Sequence, residues 1–282
     1  MLLPFFFFFA VFFLYPIVFG IRISFYEWDS VHTPQPVGLE NYAKVVASRG
    51  FLKSFENLLK YVSVTIPINV VVAFSLAVLV NSFKGFWMKL FRSGYFLPTL
   101  LPLFLAASVW RWLYAPDVGF INTILGRFGI GEVKWLTDPK VMIFSLVIVD
   151  VWISAGFNMI ILLAGMNDIP QEYYDAAKVD GASKFQEIIY ITIPQLEPVL
   201  FLVITYGFIS ALQVFDAPWI LTGSTFISYG GLRQGLLFPV MDMMGTAFNG
   251  LRFGRAAAYG VILAVFILFV TLLQFVLRKR QS

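Results

Sequence analysis

The interval Asp168–Pro194, DIPQEYYDAAKVDGASKFQEIIYITIP, decides how this chain is read, because it is the one long polar, helix-forming interval between very apolar segments. Its local chemistry predicts two short helices. Asp168 supplies an N-cap, Pro170 sits near the first turn where a missing N–H costs little, and Gln171 completes a capping-box spacing. Ile169, Tyr173, Ala176 and Ala177 then share one helix face that can pack against something. Gly181 suits the left-handed stop of that helix. Ser183 and Gln186 repeat the capping-box spacing for a second helix, which carries Phe185, Ile188, Ile189 and Thr192 on one side, and Pro194 is expected to end it.

The surroundings of this interval set the fold class. Of 282 residues, 59% are hydrophobic and 13% charged, and the mean hydropathy is +0.82. One soluble core cannot hide that much apolar surface, so the chain is an integral membrane protein. Six apolar runs, approximately 2–24, 57–81, 91–114, 141–166, 196–221 and 254–277, are long enough to cross a hydrocarbon layer about 30 Å thick, which takes about 20 helical residues. Helices alone satisfy their backbone in lipid without closing into a barrel, and these runs are about twice the length of barrel strands. The expected fold is all-α, with six transmembrane helices. No repeat or flexible linker divides residues 1–282, which read as one domain. The first run lacks a basic leading region and a small-residue cleavage site, which favours a retained span.

Basic residues orient these spans. Lys84, Lys89 and Arg92 lie in one short connection, and Arg278-Lys279-Arg280 follow the last run. An even number of crossings separates the two clusters, and the positive-inside rule calls their side cytoplasmic. The 168–194 loop falls on that side, and so do both termini.

Several chemistries are excluded. There is no cysteine and His32 is the only histidine, so thiol catalysis, disulfides and histidine metal clusters are absent from the sequence. Scattered basic residues give no footprint for a nucleic acid. A GxxxxGK[ST] phosphate loop is missing, which makes any ATPase a partner and ATP and Mg that partner's ligands. Asp150 and Asp216 stand in no HExxH or GxSxG setting, so an intramembrane protease or proton pump lacks support, and the chain does not read as an enzyme.

The loop residues also resemble a family. Asp175-Ala176-Ala177, Asp180-Gly181-Ala182, then Ile191, Ile193 and Pro194, look like the EAA loop of permease subunits in binding-protein-dependent ABC importers. Gly181 and Ile191 are ten residues apart, as in that motif. Asp175 stands where the motif usually has Glu, and Ile193 where it usually has Leu. The resemblance implies that the loop, 168–195, is a coupling helix seated in a groove of a cytoplasmic ATPase, with Glu172, Tyr173, Asp175, Ala176, Ala177, Asp180, Gly181, Ala182 and Pro194 carrying the contact. The plain alternative is an amphipathic hairpin between two spans.

Further strings resemble the sugar-class permeases in order and spacing. They are Gly38-Leu39-Glu40-Asn41-Tyr42, Arg92-Ser93-Gly94-Tyr95-Phe96-Leu97-Pro98, Asp117 to Asn122, Trp135-Leu136-Thr137-Asp138-Pro139, Phe215-Asp216, Leu221-Thr222-Gly223, and Arg252 to Ala258. Tyr26, Trp28 and Tyr42 read equally as residues at the headgroup level, and Trp110, Trp112 and Tyr114 read better as an interfacial anchor than as a sugar platform. Members usually carry a basic tail before the first span, and here Met1 is already apolar. The resemblance implies a type I importer permease in a prokaryotic inner membrane. Its implied partners are a second, related permease, two ATPase subunits and an extracytoplasmic solute-binding protein, and its implied cargo is a carbohydrate or polyol. A non-sugar solute on the same fold, or an ion-coupled secondary transporter, is the competing reading; the latter should show inverted halves, and none are seen.

Polar residues inside the spans need a reason, because a charged side chain at mid-membrane costs about 2.5–3.5 kcal/mol. Asp150, Ser154, Phe157 and Asn158 form one stripe, Tyr206, Ser210 and Gln213 another with Asp216 beyond, and Asn69 lies four residues after Thr65 around Pro67. Asn69, Asp150, Trp152, Asn158, Tyr206, Ser210, Gln213 and Asp216 are the candidates for a solute path. Interhelical glue is the equal alternative.

Overall fold

The computed structural model describes residues 2–225 and 227–279, so Met1 and Arg280 lie outside the described residues. Helix α1 (Leu3–Ile23) leads into a small hairpin, β1 (Tyr26–Glu27) antiparallel to β2 (Gln35–Pro36). Helix α2 (Glu40–Val46) follows. Helix α3 (Arg49–Ser82) is capped by Ser48, whose Oγ accepts from the Phe51 amide at 3.1 Å, and it starts well before the apolar run at 57. Helices α4 (Gly85–Leu100) and α5 (Leu103–Leu113) form a pair bent by 95°. Pro102 explains the break, since the residue before a proline is driven out of the helical region and Leu101 is extended.

Helix α6 (Phe120–Arg127) lies outside the spans, and α7 (Met142–Asn167) is continuous. Helices α8 (Gln171–Val179) and α9 (Lys184–Gln195) make the polar loop, and α9 meets α10 (Glu197–Leu212) at a bend of 69°. Short helices α11 (Asp216–Leu221) and α12 (Pro239–Met244) precede α13 (Phe253–Lys279). Among the described residues, four helices are long and apolar enough to span by themselves, and counting each bent pair as one span gives six.

Two sequence expectations need correction. The 196–221 run is not one helix: α10 stops at Leu212, residues 213–215 leave the helix, and α11 restarts at Asp216. Pro218 has no N–H for the Val214 carbonyl and would clash with it in a continuous helix. Pro194, for its part, does not end its helix. A π turn over Ile188–Thr192 precedes it, the wider turn accommodates the ring, and α9 runs on to Gln195. The same device, a π turn over Ala10–Leu14 before Pro16, keeps α1 unbroken.

Helices α3 and α7 form the spine and contribute to both apolar cores. One core joins Leu58, Tyr61, Met142 and Leu146 to Leu212, Leu221 and Phe238. The other joins Ala73, Ala77, Met159, Leu162 and Leu163 to Leu196 and Val203. Gly156 lets α4 approach α7 backbone to backbone: a Cβ there would stand 1.9 Å from the Tyr95 carbonyl oxygen. Helix α1 buries only Ile23, and its phenylalanines face outward, as a lipid-facing span requires.

The quoted strings outside the loop acquire structural roles. Asn41 donates to the carbonyls of Ser24 and Tyr26 at 2.9 and 2.8 Å, and Tyr42 pairs with the Ser24 hydroxyl at 2.6 Å. Asn122 Oδ1 accepts from Trp135 Nε1 at 3.0 Å, and Trp135 stacks on Tyr114 with centroids 5.2 Å apart. Tyr114 is therefore core rather than an interfacial anchor: it is 1% exposed and donates to the Ser145 carbonyl at 3.1 Å. Trp112 stays exposed, and Trp110 packs edge-on against Trp152.

Candidate functional site

The stripes of α3, α7 and α10 converge on a single small cavity of about 40 Å³. Asn69 is its hub. Its amide donates to Ser154 Oγ at 2.5 Å, its carbonyl oxygen accepts from Asn158 Nδ2 at 2.7 Å, and Ser154 donates to the Asp150 carbonyl at 2.6 Å. Thr65, Asp150, Tyr206, Gly207 and Ser210 complete the polar wall. The buried Tyr61 hydroxyl lies beside Thr65 and Asp150, and Asn158 Oδ1 is buried with no hydrogen-bond partner among the described residues. The space suits a few waters and not a sugar ring.

Five of the eight solute-path candidates, Asn69, Asp150, Asn158, Tyr206 and Ser210, thus meet in one place. Three do not. Trp152 points instead to Trp110, with centroids 5.6 Å apart. Gln213 folds back onto the Ile209 carbonyl at 3.0 Å. Asp216 opens α11 as an exposed first-turn acid, away from the cavity. Sequence reasoning missed Tyr61, although it stands four residues before Thr65 and eight before Asn69 on the same face. For Asn69, Ser154 and Asn158 the contacts are interhelical, while Tyr206 and Ser210 remain exposed on the open side.

The polar loop is built as two helices about Gly181, whose φ of +78° closes the turn. The Ser183 box forms fully: Gln186 Oε1 accepts from the Ser183 amide at 2.7 Å, and Ser183 Oγ from the Gln186 amide at 3.3 Å. The box expected at Asp168 does not. Asp168 terminates α7, Pro170 holds the cap position of α8, and Gln171 donates sideways to Asp175 at 3.2 Å. That bond, with Lys178 at 3.0 Å, holds the Asp175 carboxyl below the usual carboxylate range.

Other residues tie the loop to the rest of the chain. Tyr174, not Tyr173, turns toward the protein and meets Thr192 at 3.0 Å, and buried Glu187 is held by Lys184 at 2.8 Å. Phe185 is exposed and Thr192 buried, so the two do not share one side as expected, the π turn over Ile188–Thr192 having changed the register between them. The outcome is a loop anchored beneath and apolar above: Tyr173, Val179, Phe185 and Tyr190 are 49, 88, 70 and 74% exposed. Among the described residues, no group of three or more His, Asp or Glu side chains is placed to hold a metal.

Residues 61–282 match the family described as binding-protein-dependent transport system inner membrane component. The chain belongs to that family. The trehalose/maltose transport system permease protein MalF of Thermococcus litoralis is 35% identical, over 76% of this chain and 72% of that protein. The arabinooligosaccharides transport system permease protein AraP of Bacillus subtilis is 30% identical, over 94% of this chain and 83% of that one. A chain from a bacterial alginate ABC transporter, solved in complex with an alginate pentasaccharide-bound periplasmic protein, superposes with a TM-score of 0.86. It is 23% identical, and the overlap covers 99% of this chain and 93% of that one, a likeness that establishes the type I importer fold. The permease is thus a membrane-embedded transport subunit and not an enzyme.

Proposed function

We propose that this permease forms part of the path by which an ATP-driven importer moves a carbohydrate or polyol across a prokaryotic inner membrane. A solute-binding protein delivers the cargo outside, a second permease completes the path, and two ATPase subunits bind ATP and Mg in the cytoplasm, where both termini lie. The single observation that carries the coupling role is the exposed apolar crest of the 168–194 loop, on a segment anchored underneath by Tyr174, Thr192 and Glu187. Apolar side chains that no part of the chain covers mark an interface. Glu172, Asp175 and Asp180 flank the crest with charge that can fix register.

Cargo chemistry is supported by the relatives, whose names specify trehalose, maltose and arabinooligosaccharides. In this conformation the polar cavity is too small for such a solute, so Asn69, Asp150, Asn158, Tyr206 and Ser210 would face it once α10 separates from α3 and α7. Reconstitution in proteoliposomes with the ATPases, the second permease and the binding protein tests the proposal. Uptake of labelled oligosaccharide should need ATP and all four components. Uptake driven by a proton or sodium gradient without ATP would overturn it.

A further inference from the structure

The last span is fastened unevenly. Among the described residues of α13, the fully buried ones, Gly254, Ala256, Ala258, Tyr259 and Leu263, all lie in its first half, and Phe266, Ile267 and Val270 pack partly against the first core. Beyond them Leu272, Leu273, Val276 and Leu277 are exposed, as a lipid-facing helix requires. The far end is nevertheless held, by a charged contact. Arg278 Nε donates to Glu197 Oε1 at 3.0 Å and Nη2 to Oε2 at 3.5 Å, and the guanidinium carbon lies 4.5 Å from the centre of the Phe201 ring. Phe201 in turn meets Phe275 edge-on, with centroids 5.1 Å apart.

Position gives this contact its meaning. Glu197 is the first residue of α10, at the 69° bend where α9 leaves the polar loop and the chain turns into the membrane. Leu196, inside the bend, is fully buried in the second core, so the bend is a fixed point rather than a loose joint. A two-point guanidinium–carboxylate contact fixes angle as well as distance, and the aromatic ring beneath it holds the guanidinium in place. Partly exposed ion pairs add little to stability, so what this one supplies is geometry. The seam above it is less settled. Glu197, Phe201 and Thr205 form one stripe of α10, and Gln274 precedes Arg278 by one turn of α13. The Thr205 hydroxyl and both amide atoms of Gln274 are buried without a hydrogen-bond partner among the described residues. Unpaired buried polar groups cost free energy that another packing of the seam can recover, whereas the Arg278 contact is already complete.

We infer that Arg278 is a positioning residue for transport. With Glu197 and Phe201 it pins the cytoplasmic end of α13 to the bend, so that a displacement of the 168–194 loop enters α10 and α13 together while the seam above the pin repacks. The inference rests on the coupling role and the topology proposed above.

The test measures labelled oligosaccharide taken up per ATP hydrolysed in the reconstituted complex. R278A and E197A should each lower that ratio about fivefold, and the double variant should lower it no further, because either change removes the same contact. R278K should recover part of the loss and the exchanged pair E197R/R278E most of it. The chain has no cysteine, so E197C/R278C can be joined by a short bis-maleimide in the membrane before extraction. The linked complex should return toward the wild-type ratio, because the pin stays closed through the cycle. An unchanged ratio in R278A overturns the inference and leaves the importer reading standing. Losses that add in the double variant, or linking that lowers uptake further, overturn it as well. If R278A does not assemble, the linked E197C/R278C complex decides by the same criterion. A wild-type complex without ATP-dependent uptake refutes the importer reading itself.

Discussion

Replacing Gly156 by Ala should destabilise the permease because the contact it supports is between backbones. The added methyl would stand 1.9 Å from the Tyr95 carbonyl oxygen, 2.7 Å from its carbon and 3.1 Å from the Phe96 Cα. A carbon meets a carbonyl oxygen comfortably at about 3.3 Å, so α4 and α7 must part by roughly 1.4 Å. Overpacking of this kind costs about 1–3 kcal/mol, toward the top of that range here because neither partner is a side-chain tip that can swing away. Alanine's better helix propensity returns about 0.5–1 kcal/mol, leaving a net loss of about 2 kcal/mol. At about 2–4 °C per kcal/mol, the melting temperature of the purified complex in detergent should fall by about 4–8 °C.

Two further glycines calibrate this result. Gly94, on the same α4, has nothing within 4 Å of a built Cβ, so G94A should melt at or slightly above wild type. Gly165 would meet side-chain atoms of Leu196 and Val199, both at 2.8 Å, rather than backbone, so G165A should fall between. Thermal denaturation followed by size exclusion ranks the three. If G156A melts with the wild type, the backbone crossing is not the determinant of α4 packing.

Gly181 has open space around it, so its substitution acts through φ alone: G181L should cost about 1–2 kcal/mol of loop order and release the ATPase, whereas G181N should retain it, both read by co-purification. Equal retention would argue against the coupling role. Asn69→Leu removes two interhelical bonds worth about 0.6 kcal/mol each on average and should lower stability by about 1 kcal/mol, measured by thermal denaturation. His32, the only histidine, is raised above its ordinary value by its bond to Asp29, whose carboxyl is lowered in turn. The support this pair gives the hairpin is complete below the ordinary imidazole value, is lost as pH rises through the raised one, and is lost on the acid side as pH falls through the depressed carboxyl value. In D29N, NMR titration of the single imidazole should return it toward about 6.5; an unmoved titration would remove Asp29 as the cause.

Much of the fold was legible because the relevant signals are local. Span length and hydropathy depend on the solvent the chain sits in, and the Ser183 box and the Gly181 turn depend on residues no more than a few apart, so α1, α3, α7, α13 and the loop turn follow from sequence. Prolines read less well. Pro194 is absorbed by a π turn, Pro102 turns a span through 95°, and Pro218 cuts the 196–221 run, because what a helix does with a missing N–H depends on its neighbours.

Periodicity placed Asp150, Ser154 and Asn158 on one face but not what that face meets. Only the tertiary structure joined Asn69 to Ser154 and Asn158, separated Trp152, Gln213 and Asp216 from them, and brought Arg278 onto Glu197, 81 residues earlier in the chain. The sequence by itself determined a six-run membrane protein with a structured polar loop, because those properties are set by solvent and by near neighbours. Which polar groups share a cavity, and which are left without partners, was decided by how the helices pack, because a hydrogen bond across two spans is fixed by their relative rotation and no single helix encodes it.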